Sequence, residues 1–339
     1  MFEVNIKQLI QALIADLKAN ITSMVVSSPG AGKSDCIRQI AKEYGLKVID
    51  LRVSQCEPVD MQGFPGVTPE GRMTFHVPEY FPLEGDPIPK GYNGWLLFLD
   101  EFNSGNKQTE AACYKLILDR AVYQHKLHPN CRIVAAGNLT TDKAIVNTMS
   151  TATASRLTHY KLYVDHNDWI DWAYKNNIDN RIISFIKFKP EILHKFNPKS
   201  TEVTFPSPRT WEFVSKIIED IKDIDDLTQI RIAGTIGEGA AVEFTGYCKI
   251  FRNLPTIEEI LHTPTLWRIP IEPSEVYAIT TMLASNTTPQ NISTIFKSID
   301  RLPIEFQLIT LKDIHKKNPA LAEYPEIKVW QINNASKVY

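Results

Sequence analysis

The sequence predicts an α/β protein in which a parallel sheet flanked by helices is followed by a mainly helical part. Short apolar runs alternate with helical stretches as far as about residue 165, which is typical of parallel α/β sheets. A glycine-rich turn joins the first of these runs to a helix. From His166 onward the pattern is mostly helical and is interrupted by prolines, which mark candidate boundaries.

The predicted sheet strands are apolar runs, most of which are followed by a helical stretch. They are Ile21–Ser27, Lys47–Val53, Trp95–Leu99, Cys131–Ala136 and His159–Val164. Before them, apolar residues recur at three- and four-residue spacing between Ile6 and Leu17, which predicts an amphipathic helix. Asn5 and Gln8, three residues apart, predict a capping box at its start. We therefore expect this helix to pack against the sheet and not to act as a targeting signal.

The composition argues against several classes of protein. The chain has 37 Lys and Arg against 39 Asp and Glu, which excludes a strongly basic nucleic-acid binder and an acidic tail. Its five cysteines are widely spaced and contain no Cys-x-x-Cys pair, which argues against a disulfide framework and a zinc site. No apolar run reaches the length of a membrane span. We expect a reducing, cytoplasmic location and no membrane partner.

The stretch VVSSPGAGKSD, Val25–Asp35, predicts a phosphate-binding loop of the Walker A kind. Such a loop needs backbone N–H groups at a helix start, glycines, a lysine for the β- and γ-phosphate oxygens and a hydroxyl for Mg²⁺. Ser27 occupies the first glycine position, where a small residue is tolerated if φ is not positive. The predicted nucleotide-binding residues are Ser28, Pro29, Gly30, Ala31, Gly32, Lys33, Ser34 and Asp35.

Two further strand ends carry candidate catalytic residues. WLLFLDE, Trp95–Glu101, has the form of a Walker B strand, in which Asp100 joins Ser34 on Mg²⁺ and Glu101 deprotonates the attacking water. An acidic pair after a strand is elsewhere usually a solvated turn or a helix cap. Asn138 ends the run AAGN and could bond the γ-phosphate or the water, although alone it would be interpreted as a loop cap.

Taken in order, these segments resemble the AAA+ ATPases, and in detail their MoxR branch, particularly members encoded beside von Willebrand A-domain proteins. DEFNSGNKQTEAACYKLILDRAV resembles the DEIN segment and following helix of that branch, with Asn103 and Gln108 at matching places. LRVSQCEPVDMQGFPG resembles the entry to its helix-2 insert, with Asp60 and Gly63 matching. GEGAAVEF, Gly237–Phe244, resembles a lid helix, and the resemblance covers roughly residues 5 to 250.

Two arginines acquire roles only through this resemblance. MSTATASRLTHY resembles the segment that ends in the arginine finger, which corresponds to Arg156 and would act on a neighbouring subunit, with Arg120 as the alternative. FPSPRTWE resembles the sensor-2 segment of the lid, which corresponds to Arg209. The implied organisation is an ATPase core over residues 1–165 with an insert at about 54–94, a helical lid over 166–250 and a helical extension over 251–339.

The resemblance implies an ATP- and Mg²⁺-dependent hydrolase that forms a homo-oligomer of hexameric type. It would act like a chaperone on a protein client, for which a von Willebrand A-domain protein is the candidate. Two alternatives stay open: a motor or loader acting on nucleic acid, and a nucleotide-gated scaffold with little turnover. The preference for ATP over GTP and the role of residues 251–339 also stay open.

Two surface features have competing interpretations. The segment Gly63–His76 predicts a β-hairpin, which in the resembling branch is suited to client contact but is otherwise an ordinary surface hairpin. Basic residues are interspersed with phenylalanines between residues 175 and 199, a pattern that could bind single strands but that favours a helix with a solvated face. The residues concerned are Lys175, Arg181, Phe185, Lys187, Phe188, Lys189, Lys195, Phe196 and Lys199.

Overall fold

The computed structural model describes residues 2–142 and 147–338, with side chains up to residue 334. The chain divides into two compact units. The sheet unit comprises the residues up to Asp165 together with Phe196–Ser200, and the helical unit comprises His166–Lys195 and the residues from Thr201 onward. The helical unit therefore combines helices from both of the segments, 166–250 and 251–339, that the resemblance separates.

The strands of the sheet unit include a central parallel sheet of six strands. They are β1 Glu3–Val4, β2 Ser23–Ser27, β3 Leu46–Arg52, β4 Phe64–Val67, β5 Met73–His76, β6 Gly94–Asp100, β7 Ala121–Val122, β8 His125–Lys126, β9 Cys131–Asn138 and β10 Thr158–Leu162. The central order is β1-β10-β2-β9-β6-β3, and every neighbouring pair is parallel. The predicted α/β fold is confirmed, and each predicted strand is present with ends shifted by up to two residues.

The helices account for the rest of the regular structure. They are α1 Ile6–Ala19, α2 Lys33–Glu43, α3 Pro58–Gln62, α4 Lys107–Leu118, α5 Thr151–Ala154, α6 His166–Lys175, α7 Asn180–Phe188, α8 Pro208–Ile218, α9 Asp226–Ile236, α10 Glu238–Phe251, α11 Ile257–His262, α12 Pro273–Asn286, α13 Ile292–Ile299, α14 Ile304–Lys317 and α15 Pro325–Val338. None of the described helices is long and apolar enough to cross a membrane. At the start of α1 the capping box is confirmed, because Gln8 N donates to Asn5 Oδ1 at 2.9 Å and Asn5 N donates to Gln8 Oε1 at 3.1 Å.

Three strands of the central sheet, β2, β9 and β6, are buried on both faces, and this explains their nearly continuous apolar pattern. Along β6, Leu96 and Phe98 join a core cluster with the buried residues of α1 and α2. The alternate residues Leu97 and Leu99 join a second cluster with Phe102 and the buried face of α4. Because successive side chains of a strand point to opposite faces, one apolar run supplies both cores.

The predicted hairpin at Gly63–His76 is confirmed. Strands β4 and β5 pair antiparallel, with Phe64 opposite His76 and Val67 opposite Met73. Phe75 packs against Tyr123, with 4.0 Å between ring centroids, and so holds one side of the hairpin to the rest of the sheet unit. At the other end of the hairpin, Val67 and Met73 are 73% and 71% exposed.

The expectation of a solvated basic face is wrong for Lys187, in the last turn of α7. Five successive residues of α7, from Ile182 to Ile186, are buried, and Lys187 makes an ion pair with Asp313 in which both side chains are buried. The flanking Lys189 pairs with Glu243 at 2.6 Å. Two of the predicted basic residues thus form ion pairs inside the helical unit, Lys187 with α14 and Lys189 with α10.

Candidate functional site

The phosphate-loop candidate lies between β2 and α2, as the sequence predicts. Strand β2 ends at Ser27, helix α2 begins at Lys33, and Gly30 and Gly32 adopt φ values of 76° and 90°. Those values are in the left-handed region, which only glycine enters without strain. Gly32 is the N-cap of α2 and supplies no side chain to cap it, so the first N–H groups of the helix are suited to an anion.

Ser27 fits the first glycine position of the loop because its backbone belongs to a strand. It is not among the described non-glycine residues with positive φ. The buried hydroxyl donates to the Ser28 carbonyl at 2.9 Å and accepts from Lys33 Nζ at 2.9 Å. Lys33 Nζ also donates to the Ser27 carbonyl at 3.2 Å and to Asn138 Oδ1 at 3.3 Å. The serine therefore holds the loop lysine, a contact that a glycine could not supply.

The two predicted metal ligands are in direct contact. Ser34 Oγ donates to Asp100 Oδ2 at 3.2 Å, joining the start of α2 to the end of β6. A hydroxyl and a carboxylate oxygen fit Mg²⁺, which in nucleotide sites is bound through one or two protein oxygens together with substrate phosphates. Ser34 and Asp100 are therefore the residues that would hold this ion.

Glu101 has a constrained backbone and a partner that sequence reasoning missed. Its φ of 51° is left-handed, a conformation that costs a non-glycine residue about 1–2 kcal/mol, and its N–H donates to Asp100 Oδ1 at 2.9 Å. Its carboxylate accepts a hydrogen bond from Ser54 Oγ. Ser54 lies just after β3, and since Arg52 of β3 pairs with Asp100 of β6, the register itself brings the two segments together. Strand order, which the sequence does not give, was needed to find this contact.

Asn138 joins the same edge of the sheet. Strand β9 lies between β2 and β6, and Asn138 is the register partner of Ser27. The carboxyl ends of neighbouring parallel strands are where open α/β sheets bind ligands. The structure thus brings together the phosphate loop, Asp100, Glu101 and Asn138.

Within the sheet unit, Arg156 lies apart from this edge. Arg156 precedes β10, whose first residue, Thr158, pairs with Ser23 at the start of β2. Ser23 and the end of β2 at Ser27 are about 13 Å apart at the usual rise per strand residue. The guanidinium of Arg156 lies over the Tyr114 ring, 4.4 Å from its centroid, and donates to the Ala152 carbonyl.

Of three other predicted residues, one is bonded to a backbone carbonyl and two have exposed side chains. Arg120 donates to the Cys131 carbonyl, and burial lowers the pKa of its guanidinium. Arg209 is exposed in the first turn of α8, in the helical unit, beside the N-cap Ser207. The carboxylate of Asp35 is exposed and lies 3.8 Å from Arg38, so only the backbone of Asp35 is suited to a phosphate.

Comparisons with known proteins give no family for this chain. No family model matches it, and no curated protein matches it. Among solved structures, it is similar to a candidate ATPase from Cytophaga hutchinsonii, solved at 2.00 Å, at 13% identity and a TM-score of 0.39. The similarity covers 93% of this chain and 90% of the other. A likeness this distant carries no weight for activity, so the function has to be inferred from the site.

Proposed function

We propose that this protein is a Mg²⁺-dependent ATPase of the AAA+ type. The observation that carries the proposal is a pair of contacts that join the phosphate loop to two neighbouring strand ends. Lys33 Nζ reaches Asn138 Oδ1 at 3.3 Å, and Ser34 Oγ reaches Asp100 Oδ2 at 3.2 Å. A positive group, a metal-binding pair and a polar amide therefore converge where the β- and γ-phosphates would lie.

Each residue has a distinct task in this proposal. The N–H groups of the loop and Lys33 bind the β- and γ-phosphate oxygens. Ser34 and Asp100 hold Mg²⁺, which when bound neutralises charge that develops on the phosphates. Glu101 orients the water and accepts its proton, and Asn138 bonds the γ-phosphate or the water.

We further propose that the site is completed by a neighbouring subunit of a ring, with Arg156 as the finger. The position of Arg156 supports this, because it lies beside the start of β2 whereas its own phosphate loop follows the end of that strand. Arg120 is the weaker candidate, since its guanidinium is partly buried and donates to the Cys131 carbonyl of its own sheet unit. Arg209, at the start of a lid helix, is proposed to report the nucleotide state.

The proposed client is a protein, with a von Willebrand A-domain protein as the candidate. The hairpin of β4 and β5 supports a protein client because it exposes an apolar cross-strand pair, Val67 and Met73. Exposed apolar groups of this kind suit contact with a partly unfolded or apolar protein surface. Nucleic acid is not favoured, since Lys187 and Lys189 make ion pairs within the helical unit.

The test is steady-state ATP hydrolysis measured against protein concentration, with mass followed by light scattering. We expect a rate that rises with assembly and falls about 10²- to 10⁴-fold in Glu101→Gln, the range for loss of a general base. For Arg156→Ala we expect a fall of about 10³-fold. Glu43→Gln, at the last residue of α2, and Arg231→Ala, on α9 of the helical unit, change exposed residues; they are the matched controls and should hydrolyse ATP normally.

Mixing the two inactive variants tests the shared site directly. An interface with Glu101 from an Arg156→Ala subunit and Arg156 from a Glu101→Gln subunit has both groups intact, so part of the rate should return. No recovery in mixed rings of confirmed mass would contradict action across an interface. A normal rate in Glu101→Gln would overturn the proposed catalytic site itself.

A further inference from the structure

Asn103 is a buried polar residue that pairs with the backbone at Asn138. It lies in the turn Phe102–Ser104 that follows the acidic pair, and it is 9% exposed. Its Nδ2 donates to the Asn138 carbonyl at 2.8 Å, and its Oδ1 accepts from the Asn138 N–H at 3.1 Å. Both backbone groups of Asn138 are therefore held by one planar amide, which fixes the peptide on either side of that residue.

Residues next to the Asn103–Asn138 pair also restrain the Asn103 side chain and main chain. Asn103 O accepts from Asn147 N at 2.8 Å, so the main chain of Asn103 is tied as well as its side chain. At Gly137 an added Cβ would lie 2.1 Å from Asn103 Oδ1 and 2.7 Å from the methyl carbon of Met24. Position 137 therefore accepts only glycine while Asn103 stays in place, which explains the small residue before Asn138.

The pairing matters because Asn138 is the last residue of β9, and its side-chain Oδ1 lies 3.3 Å from Lys33 Nζ. We infer that Asn103 is a positioning residue that aims the Asn138 amide at the reacting phosphate, acting through Asn138 and not on the nucleotide. This inference rests on the proposed function.

The test uses the full chain and compares Asn103→Asp with Asn138→Ala and with the double variant. Asn103→Asp keeps the size of the side chain and an acceptor for Asn138 N–H but places an oxygen against the Asn138 carbonyl. We expect kcat to fall by about 10- to 100-fold, the cost of a small misplacement at a reacting centre. Affinity for Mg²⁺-ATP should stay within about threefold of the wild-type value, since the phosphate loop is unchanged.

The decisive measurement is non-additivity. If Asn103 acts through Asn138, Asn103→Asp should change kcat little once Asn138 is alanine. Should Asn103→Asp prevent folding, Gly137→Ala replaces it, because its Cβ displaces the same amide. Asn93→Ala is the control, since Asn93 Nδ2 also donates to a backbone carbonyl, that of Tyr44, and should leave kcat unchanged.

The outcomes separate this inference from the proposed function. If Asn103→Asp lowers kcat by the same factor in the wild-type chain and in Asn138→Ala, Asn103 has a structural role and the inference is overturned. A normal kcat in Asn103→Asp, with Asn138→Ala impaired, would overturn it as well while leaving the proposed function intact. If the wild-type chain does not hydrolyse ATP, the proposed function fails first, and the inference fails with it.

Discussion

The sheet unit and the helical unit place their polar groups in different surroundings. At the edge of the sheet, Asp100, Glu101 and Asn138 are only partly buried. In the helical unit, Lys187 and Asp313 form an ion pair whose side chains are 7% and 3% exposed. The comparison indicates that groups kept at an edge remain accessible to a ligand, whereas groups enclosed by helices are committed to one another.

The buried pair belongs to a small network. Lys187 Nζ donates to Tyr174 Oη at 2.7 Å, to Thr281 Oγ1 at 3.1 Å and to the Asp313 carboxylate. Burial lowers the pKa of Lys187, and the Asp313 charge opposes that shift. Lys316 lies 2.9 Å from Asp171 and 4.0 Å from Asp313, so a second lysine faces the same carboxylate. The network joins α6 and α7 to α12 and α14 within the helical unit.

The largest expected effect comes from breaking this pair. Asp313→Ala leaves Lys187 buried without its counter-charge, and we expect the free energy of unfolding to fall by about 3–5 kcal/mol. The measurement is urea unfolding of the full chain, followed by tryptophan fluorescence. In contrast, the double variant Lys187→Met with Asp313→Leu should lose much less, because apolar residues of similar size replace both charges.

An equal loss of unfolding free energy in Asp313→Ala and in the double variant would contradict the contrast between the two units. It would mean that the network contributes through its packing and not through charge pairing. The helical unit would then not differ from the sheet unit in the way its polar groups are used.

A moderate effect is expected at the sheet edge, where Ser27 holds Lys33. Ser27→Gly restores the usual glycine but removes the hydroxyl at 2.9 Å from Lys33 Nζ, and it loosens the backbone before the loop. We expect binding of a non-hydrolysable ATP analogue to weaken about fivefold, the equivalent of one net hydrogen bond of roughly 1 kcal/mol. Titration calorimetry measures the affinity, and Ser23→Ala, which removes a hydroxyl bonded to Asp16 at the other end of β2, is the control. Unchanged or tighter binding would show that the serine restrains the lysine without aiding the ligand.

The sheet edge was more predictable from the sequence than the contacts that organise it. The phosphate loop and the acidic pair each occupy one continuous stretch, and buried parallel strands are recognisable as apolar runs. The contacts between them depend on strand order. Asn103 and Asn138 are 35 residues apart, and Ser54 and Glu101 are 47 apart, so neither pairing has a local pattern.

The helical unit was predicted less well for the same physical reason. Lys187 and Asp313 are 126 residues apart, and a lysine on an amphipathic helix gives no sign that a later helix will cover it. Strand β1 was also missed, because two residues cannot show a period and its pairing with β10 is purely tertiary. Residues 143–146, between the AAGN run and the finger segment, lie outside the described residues.

The smallest effect is expected in the sheet unit at Tyr160, whose hydroxyl shares a carboxylate with Ser23 at the start of β2. Tyr160 Oη donates to Asp16 Oδ2 at 2.8 Å, and Ser23 Oγ donates to the same oxygen at 2.7 Å. Burial, followed by the bond to Asp16, raises the pKa of Tyr160 to about 12.

Because the neutral tyrosine is favoured in the folded state, its contribution should be complete below a pH of about 10, the pKa of an unfolded tyrosine, and should disappear by a pH of about 12. Tyr160→Phe should cost about 0.5 kcal/mol at pH 8, the lower end for one hydrogen bond. The wild-type curve should then fall to that of Tyr160→Phe and cross it as the pH rises through that window, because burial also penalises the charged phenolate. Urea unfolding at pH 8, 10 and 11 tests this, and two parallel curves would show that the Tyr160 hydroxyl does not titrate with folding.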